Sequence, residues 1–161
     1  MNHKFELLCE RIIDLSHSRI WTTVKDEWQL LYIYRTEAWG VCLCETDIKD
    51  HCVLYNNVTL QQTVVGNVCV NNFMGLETNI LFEGVKRIRN NPIAAPNMAL
   101  MEYCKQQKWL SDNEQQFLWN IFSKRKLSFR QENWRRDINN KILMNIAYHA
   151  TFKPPLVGVL S

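Results

Sequence analysis

A chain of 161 residues is the size of one ordinary domain and is long enough to bury a core of its own. Its 47% hydrophobic and 22% charged residues exclude a disordered chain, and no run approaches the roughly 18 uninterrupted apolar residues of a membrane helix. The formal net charge of +3 admits a polyanionic partner but falls short of the strongly basic balance that would argue for one.

The first stretch, MNHKFELLCERIIDLSHSRI, sets Glu6, Glu10 and Asp14 among its apolar residues. It lacks the apolar core of a secretory signal and reads as an amphipathic helix, with Phe5, Leu8, Ile12 and Leu15 at helical spacing. The expected compartment is the cytoplasm, where thiols stay reduced, so six cysteines argue for metal ligation rather than disulfides. From Trp21 to Val70, runs such as WQLLYIY, WGVCLC, CVLYN and QQTVVG are rich in β-branched and aromatic residues and predict strands. Asn56-Asn57 suits a turn between two of them, because Asn tolerates the left-handed conformation. From about Val70 the pattern turns helical. Pro92 and Pro96 mark a loop, and Asn97 caps the helix NMALMEYCKQQKWL. Ser111 with Glu114, and Ser128 with Gln131, have capping-box spacing and open two further helices. Pro154-Pro155 ends regular structure before an apolar tail.

The expected fold is therefore α+β, with a small antiparallel sheet packed with an N-terminal helix and a C-terminal helical region. The chain is read as a single domain over residues 1–161. Residues 1–20 form the N-terminal helix, 21–75 a β module, 76–150 the helical region and 151–161 the apolar tail.

Four of the six cysteines crowd into the window 41–75 as C-x-C-x7-C-x16-C. Structural zinc takes four soft ligands in a tetrahedron, two from a tight local turn and the others from elements packed against it. Cys42 and Cys44 supply the local pair at a strand end, Cys52 the next strand, and Cys69 a helix start, where the dipole favours a thiolate. The β module is then a zinc-bound, hairpin-plus-helix, treble-clef-like arrangement. The competing reading is four small apolar residues in a core. His51 is the substitute ligand, ranked below Cys52 because strand alternation points it to the other face.

The stretch CLCETDIKDHCVLYNNVTLQQTVVGNVCVNNFMG resembles a cysteine-rich module of uncharacterised bacterial and phage proteins. Their pattern runs C-x-C-G, an Ile- or Val-rich strand ending in Cys, N-R-x-T, then V-G-x-x-C-V-x-x-F. Cys42, Cys44, Ile48, Cys52, Asn56, Thr59, Val65, Gly66, Cys69, Val70 and Phe73 match it. The run KRKLSFRQENWRRDINNKI is similar to the C-terminal element of the same proteins through Lys124, Arg125, Lys126, Leu127, Ser128, Gln131, Trp134, Ile138, Asn139 and Ile142. Glu45 stands where the family has Gly, and Asn57 where it has Arg, which removes one positive charge. The resemblance implies a zinc-bound cysteine module in a bacterial or phage-infected host cell, with no established activity to carry over.

A four-cysteine site is closed to substrate, and the four histidines, His3, His17, His51 and His149, are scattered. His149-Ala-Thr151 is half of a paired H-x-T signature whose other half is missing, and no phosphate-binding glycine loop is present. Cys104 and Cys9 fall on helical stripes and read as core residues. No enzyme is expected.

Basic residues are densest between 124 and 141, where Lys124, Arg125, Lys126, Arg130, Arg135, Arg136 and Lys141 face only Glu132 and Asp137. A shorter run, Lys86-Arg87-Ile88-Arg89, precedes them. Trp134, Ile138, Ile142 and Asn145 make the expected core stripe of the last helix, and Trp119 and Trp134 are read as core rather than as stacking platforms. Asp137 and Lys141 have the i,i+4 spacing of a helical pair. The leading expectation is a non-enzymatic, zinc-stabilised accessory protein of phage or mobile-element type. It would bind nucleic acid or a nucleoprotein complex through Lys124, Arg125, Lys126, Arg130 and Arg136. The alternative is an inhibitor or adaptor, such as an anti-defence or anti-CRISPR protein, that acts through contacts with another protein.

Overall fold

A computed structural model of the chain describes residues 2–151. In order these form α1 (His3–Asp14), α2 (Trp21–Glu27), β1 (Trp28–Val41), β2 (Asp47–Asn56), β3 (Gln62–Val65), α3 (Asn67–Met74), α4 (Thr78–Asn90), α5 (Met98–Gln107), α6 (Asp112–Ile121) and α7 (Phe129–His149). The α+β class and the small antiparallel sheet are as expected. Of the expected apolar tail only Thr151 falls within the described residues. Two compact units divide the chain, one of residues 2–78 with 148–151, the other Asn79–Ala147. No described helix is long and apolar enough to cross a membrane.

In the first unit, Asn2 caps α1 by accepting the Lys4 N–H at 2.9 Å, and the helix buries Leu8 and Ile12. The segment Trp21–Glu27 departs from the expected strand texture and is helical. Packing decides this against local propensity. One helical turn buries Val24 completely and sets the Trp21 ring 5.0 Å from Phe73 and edge-on to Phe5 at 6.2 Å. The three strands lie in the order β1-β2-β3, all antiparallel, so β2 is central. Its Cys52, Val53 and Leu54 are fully buried. The long strand β1 breaks register twice, between Leu30 and Tyr32 and between Arg35 and Gly40. The second break leaves Trp39 exposed, with Lys49 Nζ 4.7 Å above its ring.

One buried polar group ties this unit together. Glu27, at the α2–β1 junction, accepts the N–H groups of His17 and Ser18 at 2.8 Å each and the Asn56 amide at 3.1 Å. Asn56 Oδ1 in turn accepts the N–H groups of Val58 and Thr59, which forms the turn that the Asn56-Asn57 pair predicts. Thr59 Oγ1 donates onward to the Leu15 carbonyl at 3.0 Å.

The second unit is helical. Asn97 caps α5 by accepting the Leu100 N–H at 2.9 Å. Both expected capping boxes form. Ser111 and Glu114 exchange hydrogen bonds at the start of α6, and Ser128 and Gln131 do so at the start of α7. Inside, the fully buried Asn139 donates from Nδ2 to the carbonyls of Pro92 (2.9 Å) and Ala94 (2.8 Å), which fixes the proline loop. Asn139→Ala would strand both carbonyls without a donor, at a cost of roughly 2–4 kcal/mol. The expected result in a thermal melt is a midpoint lower by about 5–15 °C.

Candidate metal centre

Strand β1 ends at Val41 and β2 begins at Asp47, and the intervening residues form a tight turn. The Cys42 N–H donates to the Thr46 carbonyl at 2.8 Å, and the Glu45 N–H to the Cys42 carbonyl at 2.8 Å. Glu45 takes a left-handed backbone, φ 71°, the conformation that favours glycine and that costs other residues on the order of 1 kcal/mol. The turn is tight without the glycine. Helix α1 braces it instead. Arg11 donates from Nη1 to the Leu43 carbonyl at 2.9 Å and pairs through Nη2 with Glu45 at 2.7 Å, while Lys4 Nζ reaches the Cys44 carbonyl at 3.3 Å.

The Leu43 N–H donates to the Val64 carbonyl at 3.1 Å, so the turn is fastened to β3. After β3 the chain passes Gly66, the N-cap of α3, and Cys69 lies in the first turn of that helix. A Cβ on Gly66 would come within 2.9 Å of Ile48, and the bare Cα lets the Gly66 N–H donate to Cys42 Sγ at 3.3 Å. The thiols of Cys42, Cys44 and Cys69 converge here, with all three sulfurs within 4.8 Å of one another and the Cys44–Cys69 pair at 3.4 Å. Tetrahedral zinc with Zn–S bonds of about 2.3 Å sets its sulfurs roughly 3.8 Å apart, so the cluster is the right size for one ion. Cys42 and Cys44 are buried and Cys69 is half-buried.

The cluster favours a thiolate. The Cys42 thiol is pulled down to about 6, first by a hydrogen bond from Cys69, against the opposing effect of burial. The N–H groups of Cys44 and Gly66 and the Cys44 thiol lower it further. Cys69 is pushed up, chiefly by its interaction with Cys42 and then by burial. Thr46 Oγ1 lies 3.2 Å from Cys44 Sγ.

Cys52, expected as the third ligand, does not join the cluster. It sits in the central strand opposite Ile33 and Val65, and its fully buried thiol is turned to Thr78 Oγ1 at 3.7 Å. Burial pushes it up to about 12, the behaviour of a core thiol. His51, the substitute ligand, is engaged elsewhere. Its ring stacks on Tyr34 at 4.5 Å, and its Nδ1 bonds the Lys49 carbonyl at 2.8 Å. Cys104 is a core residue, fully buried and pushed up to about 12, and Cys9 is half-buried.

The expected basic residues belong to the second unit. Lys124, Arg125, Lys126, Arg130 and Arg136 are all exposed, and no ion pair engages any of them among the described residues. Arg136 Nη1 donates to Asn133 Oδ1 at 3.2 Å. Lys141 pairs with Glu114 at 2.8 Å, not with Asp137, and Arg135 Nε is spent on the Ile93 carbonyl at 2.7 Å. Two aromatic expectations are corrected. Trp119 and Trp134 are 57% and 41% exposed, because α6 buries Leu118 and Ile121 instead and the α7 core stripe is filled by Ile138, Ile142 and Ile146. The roles of Arg11, Lys4 and Gly66 at the cysteine turn carry no local sequence signal, since each acts on residues more than twenty positions away. No family model, curated protein or solved structure matches the chain.

Proposed function

We propose that the protein is a zinc-stapled, non-catalytic accessory protein whose second unit binds nucleic acid or a nucleoprotein complex. The convergence of Cys42, Cys44 and Cys69 within 4.8 Å is the observation that carries the metal, and with it the reading of the fold as a scaffold. Zinc at these thiolates would pin the β1–β2 turn to the β3–α3 junction, two segments joined otherwise by few hydrogen bonds. Three protein thiolates leave a tetrahedral ion one further position, unlike the closed four-cysteine site expected from the sequence. The nearest carboxylate in sequence, Glu45, is held by Arg11 and is not poised as a base, which favours a structural role.

The unpaired cations of the second unit support the partner. Lys124, Arg125 and Lys126 precede α7 and Arg130 lies in its first turn, the helix end where the dipole favours anions. Four cations there, against the acidic Glu132 of the first turn, weaken the helix unless an anion covers them. Phosphate is the anion that a nucleic acid presents in series. Binding measured from 50 to 200 mM salt should give a log–log slope of about −3 to −5 for five phosphate contacts. The double reversal Arg125→Glu with Lys126→Glu should lower affinity at 50 mM salt and flatten that slope by roughly 2. Binding unaffected by salt and by the reversal would contradict the reading and favour an apolar protein partner.

A further inference from the structure

We infer that the α6–α7 hairpin is a stacking platform for single-stranded nucleic acid, with Trp134 as its central ring. This rests on the nucleic-acid reading above and names the form of the strand. Phe117 of α6 covers one face of the Trp134 indole, with ring centroids 4.0 Å apart and planes 25° from parallel. The indole is still 41% exposed, so it offers aromatic surface to solvent instead of closing the core. The two rings line an open cleft of about 610 Å³ together with Arg130, Ser128 and Gln131.

Cost and charge point the same way. An exposed indole braced by a second ring is held in one orientation, so little side-chain entropy remains to be lost when a base stacks on it. Phe129, next to Arg130, is 78% exposed and adds a second ring beside the same cations. Lys124, Arg125 and Lys126 lie in the loop that leads into the cleft-lining turn, all exposed. Aromatic rings interleaved with unpaired cations are the chemistry by which proteins hold a single strand, the bases on the rings and the phosphates on the cations. A duplex keeps its base faces stacked inside and would leave the rings unused. A partner protein with an acidic surface would satisfy the cations but gives no reason for a braced, exposed indole.

The test uses the full chain and labelled 12-nucleotide strands of DNA and of RNA, the matching duplex, and polyglutamate as competitor. Both single strands should bind more tightly than the duplex and quench tryptophan fluorescence, and a preference between DNA and RNA would identify the strand. Trp134→Ala should weaken single-strand binding by roughly fivefold to a hundredfold with the salt slope unchanged, and Trp134→Phe should retain most of it. Thermal melts of both variants check that the hairpin is folded, and Phe129→Ala supplies a second loss of binding at a site where folding is not at stake. Equal binding of single strand and duplex, insensitive to both alanine variants, would overturn the platform and leave the nucleic-acid reading standing. Equal competition by polyglutamate would overturn the platform in favour of general acidic partners. No binding of any strand at 50 mM salt would overturn both.

Discussion

Cys44→Ser and Cys69→Ser should each strip the metal from the protein and collapse the stability of the unit formed by residues 2–78 and 148–151. With three thiolates supplied by the chain, removing one leaves two donors, too few to hold an ion against chelators. Structural zinc supplies on the order of 10–16 kcal/mol of apparent binding energy in small zinc domains, and that energy is folding energy. The expected reading is zinc falling from about one ion per chain to a small fraction, with a thermal midpoint lower by roughly 10 °C or more. Cys52→Ser separates the metal from the core. Its thiol faces Thr78 and lies outside the cluster, so that variant should keep its zinc. It should still lose roughly 1–3 kcal/mol for a hydroxyl placed in a fully buried position. A Cys52→Ser protein without metal would place Cys52 among the ligands after all.

The second large effect belongs to Glu27. Its two oxygens accept three hydrogen bonds, two from backbone N–H groups, in a site that is nearly closed to water. Burial works to raise its pKa, yet the N–H groups of His17 and Ser18 and the Asn56 amide together bring it below the ordinary carboxylate range. A group whose folded pKa is depressed contributes stability that is present above its unfolded value, about 4.3. That contribution fades as the pH drops through the folded value. Glu27→Gln has the same shape but one acceptor oxygen where the parent has two, and it turns an amide N–H2 toward a backbone N–H. The expected cost near neutral pH is about 2–4 kcal/mol. The difference between parent and variant should shrink as the pH is lowered from 5 toward 3, in urea titrations at each pH. A constant difference across that range would mean that the carboxylate charge contributes nothing.

What the sequence made legible was what is local in it. Asn97, Ser111 with Glu114, and Ser128 with Gln131 act on N–H groups within three residues, and each forms the predicted cap. Cys42 and Cys44 share one turn, and Cys69 follows a glycine at a helix start, so the local setting of each thiol was legible, while the 25 residues between Cys44 and Cys69 left their meeting to the fold. The misreadings lie where distant segments decide. The segment at Trp21 becomes helical because Phe5 and Phe73 come to meet the Trp21 ring. Cys52 has a ligand's spacing, but the register opposite Val65 gives its side chain to the core beside Thr78. Trp134 sits on the apolar stripe of α7, yet three isoleucines suffice to fill the core and Phe117 covers only one of its faces. Glu45 holds its left-handed turn position without a glycine's freedom. The bracing Arg11 is 34 residues away, and nothing near Glu45 in sequence announces it.

Zinc-edge X-ray absorption on protein purified without a metal-binding tag tests the cysteine centre at its ligands. The expected spectrum shows bound zinc with three sulfurs near 2.3 Å and one lighter ligand at about 2.0–2.1 Å. Four sulfurs would recruit Cys52 and contradict the three-thiolate site, and protein free of zinc after growth in zinc-replete medium would contradict the metal centre itself.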